Sequence, residues 1–122
     1  MKALVVDDSL TIRRIVIKAL SMVGISEAAE AGDGAEALKA ATEQDFDLIL
    51  LDWNMPKMSG IDTLRALRQA GKKTPVIMVT TEAEKSRVIE AIKAGANDYL
   101  IKPFAPDQLA AKVKNLMGVP AA

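Results

Sequence analysis

Leu48-Ile49-Leu50-Leu51-Asp52 sets four apolar residues in a row and ends them on an acid. A short apolar run without polar alternation suits a strand buried on both faces, and such strands belong to parallel sheets covered by helices. Val76-Ile77-Met78-Val79-Thr80 repeats the pattern and ends on a hydroxyl. Ala3-Leu4-Val5-Val6 runs into Asp7 and Asp8, and Tyr99-Leu100-Ile101 runs into Lys102.

Helical patterns fill the gaps. Ile12, Ile15, Val16, Ala19, Leu20 and Val23 recur at helical spacing, and Gly24 closes that segment. Asp33 with Glu36 resembles a capping box for a helix through about Glu43. A helix from about Gly60 carries Ile61, Leu64 and Leu67, and Gly71 and Pro75 bracket the loop after it. Thr81 with Glu84 predicts the cap of the next helix, which Gly95 ends. Pro106 suits the first turn of the last helix, whose apolar stripe is Leu109, Val113, Leu116 and Met117. The weakest element is Glu27-Ala28-Ala29-Glu30, with poor β-propensity; the alternation makes it an edge strand.

Five strand–helix units in succession predict an α/β fold, a doubly wound (βα)5 parallel sheet of five strands. Residues 1–122 read as one domain with no linker, repeat or output domain, and the tail Val119-Pro120-Ala121-Ala122 is expected to fray.

Composition removes whole classes of chemistry. Cys is absent, so disulfides and thiolate metal sites are excluded. His is absent, so no imidazole serves as general base, zinc ligand or phosphoryl carrier. Sixteen basic residues balance sixteen acidic ones, which gives no global case for nucleic-acid binding. No apolar run approaches the ~18 residues of a membrane span. The N-terminus meets Asp7 too early for a secretory signal, so the cytoplasm is the expected location.

In open α/β sheets, ligands bind beyond the carboxyl ends of the strands. Asp7, Asp8, Asp52, Thr80 and Lys102 all fall there. Taken singly, each Asp could be a helix cap and Lys102 a solvated loop residue. Their joint placement at four strand ends argues for a site. Three nearby carboxylates need positive charge to stay ionised. Mg²⁺ is the natural partner, with Mn²⁺ as a substitute, because every available ligand is a hard oxygen. Metal and Lys102 together would make the acidic pocket receptive to a phosphoryl group.

These residues carry a family resemblance. Val5-Val6-Asp7-Asp8, Leu51-Asp52-Trp53-Asn54-Met55-Pro56, Val79-Thr80 and Ile101-Lys102-Pro103-Phe104 resemble the signature blocks of response-regulator receiver domains. The likeness covers essentially the whole chain. Thr11-Ile12-Arg13-Arg14-Ile15-Val16 and the spacing to Tyr99 are similar to the stand-alone chemotaxis regulators of that family.

The resemblance implies a flavodoxin-like strand order of 2-1-3-4-5 and a role for each residue. Asp52 would accept a phosphoryl group from the phosphohistidine of a histidine kinase. Asp8, Asp52 and the Asn54 backbone carbonyl would bind Mg²⁺, and Asp7 would hold a metal-bound water. Lys102, before an expected cis bond to Pro103, would pair with a phosphoryl oxygen. Thr80 would swing onto the phosphoryl group and Tyr99 would turn inward behind it. Asn54 and Glu82 would line the path of hydrolytic water and make the aspartyl phosphate short-lived. Lys85, Val88, Tyr99, Ile101 and Lys112 would form an output surface for a downstream protein, with the flagellar motor switch as the expected target and a phosphatase as a further partner. The protein would act as a monomer and a signalling protein, catalysing only its own phosphorylation and dephosphorylation.

Blander readings stand beside these. Tyr99 could be a half-buried packing residue, Trp53 a surface aromatic, and the lysines a solvated face. Other relays would use the same surface. A docking receiver without phosphorylation is countered by the intact acids. A haloacid dehalogenase-type phosphatase needs an acid at the position of Asn54, and the anionic cofactor of a flavodoxin would be repelled by Asp7 and Asp8.

Overall fold

A computed structural model describes residues 1–118; the tail whose fraying was expected, 119–122, lies outside the described residues. The elements alternate as β1 (Lys2–Val6), α1 (Leu10–Ser21), β2 (Glu27–Ala31), α2 (Gly34–Glu43), β3 (Leu48–Leu51), α3 (Gly60–Gln69), β4 (Val76–Thr80), α4 (Lys85–Ala94), β5 (Asp98–Ile101) and α5 (Pro106–Met117). The five strands are all parallel, in the order β2-β1-β3-β4-β5. The strand order reverses between β1 and β3, the switch point where such sheets open a crevice.

Period-two alternation sends each central strand's side chains to two separate cores. Leu4, Val6, Ile49, Leu51, Val76 and Met78 pack with Ala37, Leu64, Leu67 and Ala91 of α2, α3 and α4. Ala3, Val5, Leu48, Leu50, Ile77 and Val79 pack with Val16 and Leu20 of α1 and Leu109 and Val113 of α5. Both faces are dry, which is why β3 and β4 carry no polar alternation. The weak β2 pairs along its whole length with β1. It needs no apolar run because it is an edge strand with its first four residues exposed or half-buried.

The helix boundaries hold two corrections. Thr81 does not cap α4: the N-cap is Glu84, and no side chain satisfies that end. The preceding loop is engaged elsewhere, since the Glu82 N–H donates to Thr80 Oγ1 (3.2 Å) and Tyr99 OH donates to the Glu82 carbonyl. Helix α1 ends at Ser21, ahead of Gly24, which lies in the following turn at φ +87°. The Asp33 cap is present, accepting from Glu36 N at 2.8 Å, but Glu36 Oε2 returns to Gly32 N rather than to the cap residue itself.

Two glycines matter for position. Gly95 ends α4 at φ +111°, and a Cβ there would meet Arg68 Nε at 2.8 Å. Arg68 donates to the carbonyls of Lys72, Thr74 and Gly95, so one guanidinium ties together the loops before β4 and β5. Gly60 opens α3 directly against the phosphoacceptor candidate: a Cβ there would lie 1.8 Å from the Asp52 carbonyl oxygen.

Candidate functional site

Asp7 is the first residue beyond β1, Asp52 the first beyond β3 and Lys102 the first beyond β5, while Thr80 is the last residue of β4. Parallel register brings these ends together. The Asp52 N–H donates to the Val6 carbonyl at 3.0 Å, and the Lys102 N–H to the Thr80 carbonyl at 2.8 Å. Asp7 and Asp52 are buried, Thr80 is fully buried, and Asp8 is exposed.

Lys102 Nζ lies 2.6 Å from Asp7 Oδ2 and 3.2 Å from Asp52 Oδ2. Asp7 Oδ1 accepts the Ser9 N–H at 2.9 Å, and Asp52 Oδ1 accepts the Trp53 N–H at 2.7 Å. One carboxylate oxygen from each of Asp7, Asp8 and Asp52 lies within 4.8 Å of the others. Three carboxylates against one ammonium leave a charge of −2 at the sheet edge.

Burial pushes the Asp52 carboxyl above the ordinary 3.8, with the Asp7 charge adding to it and the Lys102 ammonium and Thr80 hydroxyl opposing it. Burial alone would lower Lys102, but hydrogen bonding to Asp7 and the charges of Asp52 and Asp7 override it and raise its pKa. Lys102 therefore stays charged, and Asp52 needs more positive charge than Lys102 supplies. The donor set is all hard oxygen, and the Asn54 carbonyl accepts no backbone N–H in its loop. A divalent, oxygen-preferring cation fits both the ligands and the charge deficit.

The flanking residues fall into place around this core. Asn54 Nδ2 donates to Glu82 Oε1 at 3.2 Å, so these two polar residues meet at the mouth. The Lys102–Pro103 bond is cis, as expected. Tyr99 is buried, its hydroxyl bonded to the Glu82 carbonyl, and burial with the nearby Glu82 and Asp52 charges pushes its pKa up to about 12. Trp53 is not a surface aromatic: its ring is buried at 6% exposure, with the Arg87 guanidinium 5.4 Å from its centre.

The five expected output residues differ in availability. Lys85 and Ile101 are exposed and Val88 is half-buried against the core. Tyr99 is buried, and Lys112 Nζ pairs with Asp98 Oδ1 at 2.9 Å. Ile89 and Ile92 of α4 are also exposed, and Ile89 lines a cleft with Arg65 of α3; neither was expected from the sequence. Also missed were Arg13, which donates to the Asp7 carbonyl at 2.6 Å, and Arg87 over Trp53. Neither contact has a spacing rule, because each depends on how a helix lies against the sheet.

Comparisons with known proteins agree with this geometry. Residues 3–114 match the model of the response regulator receiver domain. The chain is 46% identical over 118 residues to the chemotaxis protein CheY of Pseudomonas aeruginosa, covering 95% of each. It is 45% identical over 121 residues to the chemotaxis protein CheY1 of Helicobacter pylori, covering 97% of this chain and 98% of that one. Among solved structures, the receiver domain of the Francisella response regulator 1452 superposes with a TM-score of 0.89 at 37% identity, over 96% of both chains. The Vibrio cholerae chemotaxis protein CheY4 superposes with a TM-score of 0.83 at 40% identity, over 98% of both. With the sheet order, the acidic cluster and the family match all coinciding on the same strand ends, the chain belongs to the response regulator receiver domain family.

Proposed function

We propose that this protein is a response regulator that accepts a phosphoryl group on Asp52. The observation that carries the reading is the pairing of a buried, charge-deficient Asp52 with Lys102, beside two further acids at the switch point of the sheet. The donor is the phosphohistidine of a separate histidine kinase, since this chain has no His. In the transfer, an Asp52 carboxylate oxygen forms the new P–O bond as the P–N bond to the imidazole breaks, and the imidazole keeps its electron pair.

Asp8, Asp52 and the Asn54 carbonyl would hold Mg²⁺, with Mn²⁺ as a substitute, and Asp7 would hold a water of the ion. When bound, the ion neutralises phosphoryl-oxygen charge. Lys102 pairs with one phosphoryl oxygen and screens Asp52 from Asp7. Thr80 presents its hydroxyl to the phosphoryl group, and its backbone neighbours pass the change to Glu82 and Tyr99. That is a population shift between two packings, favoured by phosphoryl contacts in one of them. Asn54 and Glu82 admit the water that ends the signal. The protein catalyses only its own phosphorylation and dephosphorylation, and it works as a cytoplasmic monomer.

The output surface is the α4–β5–α5 side, through Lys85, Val88, Tyr99, Ile101 and Lys112. Similarity to chemotaxis proteins over nearly the whole chain supports the flagellar motor switch as the target, with a phosphatase as a second partner. The test is Trp53 fluorescence during addition of acetyl phosphate, with and without Mg²⁺, alongside an assay for phosphate-ester turnover. A reversible change that requires Mg²⁺, without ester turnover, is expected. Sustained ester hydrolysis would make the protein a phosphatase instead, and a silent Trp53 with no phosphoryl uptake would make it a docking module.

A further inference from the structure

The Arg13–Glu30 pair joins α1 to β2, the edge strand beside β1. Arg13 lies in the first turns of α1, and Glu30 is near the end of the edge strand β2. Arg13 Nε bonds Glu30 Oε1 at 2.9 Å, and the same guanidinium sends Nη1 to the Asp7 carbonyl at 2.6 Å. Its side chain is largely covered, at 17% exposure.

The carbonyl that Arg13 holds belongs to the peptide bond between Asp7 and Asp8, so its direction fixes the peptide plane from which Asp8 projects. Asp7 is held on every other side: its N–H donates to the Ala31 carbonyl at 3.1 Å, and its carboxylate meets Ser9 N and Lys102 Nζ. Asp8 has no such support. It is exposed, and among the described residues no donor meets its carboxylate. Its aim is therefore inherited from the backbone, and among the described residues Arg13 is the only side chain bonded to that peptide plane.

We infer that Arg13, anchored by Glu30, is a positioning residue that sets how well the Asp7–Asp8 turn binds the divalent ion. The inference rests on the proposed metal-dependent function and adds to it the determinant of metal affinity. Groups that orient metal ligands without touching the metal commonly control affinity by ~10–100-fold.

The sign of the effect separates this role from its rivals. A cation beside an acidic site opposes metal binding, so if Arg13 acted only through its charge, removing it would tighten binding. If Arg13 were only a brace between α1 and β2, removing it would lower thermal stability and leave metal affinity alone. A positioning role predicts weaker binding.

The experiment is a Mg²⁺ titration of the unphosphorylated protein by calorimetry, for the unsubstituted chain, Arg13→Met and Glu30→Gln, with thermal midpoints measured in chelator. Arg13→Met should weaken Mg²⁺ binding by about tenfold. Glu30→Gln, which leaves the guanidinium in place but unanchored, should weaken it less. Unchanged or tighter binding in Arg13→Met would overturn the inference, and so would unchanged binding in Glu30→Gln should Arg13→Met fail to fold. No Mg²⁺ binding by the unsubstituted chain would instead overturn the metal reading beneath it.

Discussion

Lys102 Nζ stands 3.2 Å from Asp52 Oδ2, although 50 positions separate the two residues in the chain. The same ammonium is closer to Asp7, at 2.6 Å, so it divides its charge between two acids that would otherwise repel. Replacing it by Ala should leave divalent-ion binding intact or tighter, because a competing cation is gone. Phosphoryl uptake should fall by roughly 10²–10³-fold, the usual cost of removing one preorganised donor to developing charge. A time course of phosphorylation from acetyl phosphate at saturating Mg²⁺ measures the loss.

Asp52 carries a stability cost that depends on pH. Burial raises its pKa above 3.8, so the folded state binds this proton more tightly than the unfolded chain does. The charged carboxylate is therefore destabilising at neutral pH, and the cost is relieved as pH falls through the raised folded pKa toward 3.8. Asp52→Asn should melt at higher temperature than the unsubstituted protein at neutral pH without divalent ions. Its advantage should shrink in acid. Equal melting temperatures at neutral pH would mean that Lys102 already offsets the burial.

Tyr99 is the chain's single Tyr, so its ionisation can be read directly from phenolate absorbance. Burial, Glu82 and Asp52 hold its pKa at about 12 against 10.0 for a free phenol. The unfolded chain loses this proton first, so the corresponding stability is complete below pH 10 and is lost as pH rises toward 12. Titration at the free-phenol value in the folded protein would contradict the buried hydroxyl and its bond to the Glu82 carbonyl.

Gly60 gives a test of how the fold supports the site. A Cβ there would sit 1.8 Å from the Asp52 carbonyl oxygen, and backbone cannot yield as a flexible side chain can. Gly60→Ala should cost about 3 kcal/mol in denaturant unfolding, at the upper end for forced overpacking. It should also slow phosphorylation, because relief of the clash moves Asp52 itself.

The lifetime of the aspartyl phosphate should be short in the purified protein. Asn54 and Glu82 meet through a 3.2 Å hydrogen bond at the mouth of the site, and both are polar. Decay followed by intact mass after removal of the phosphodonor should be complete well within hours. Replacing both residues by Met should lengthen it severalfold. Persistence for hours in the unsubstituted protein would remove this pair from the hydrolytic path.

Much of this was legible because strand ends are written in the sequence. In β1, β3, β4 and β5 an apolar run stops at a residue of the site, so the sheet edge can be read from where hydrophobicity ends. The edge strand β2 was the faint one, since an edge strand half in water has no need of Val or Ile. The start of α4 was misplaced because Glu82 spends its N–H and carbonyl on Thr80 and Tyr99, a tertiary demand that local capping rules do not see. Arg13, Arg68 and Arg87 were invisible for the same reason. Each reaches across elements to a carbonyl or a ring, and a long side chain with a planar fork gives no periodic signal for that.

The central claim is that Asp52 is the phosphoacceptor and that the reaction needs a divalent ion. Intact mass of the protein after incubation with acetyl phosphate tests it directly, with Mg²⁺ and with chelator, for the unsubstituted chain and for Asp52→Asn. The expected result is an adduct of a single phosphoryl group in Mg²⁺ alone, absent from Asp52→Asn. An adduct that forms equally in chelator, or that survives in Asp52→Asn, would contradict it.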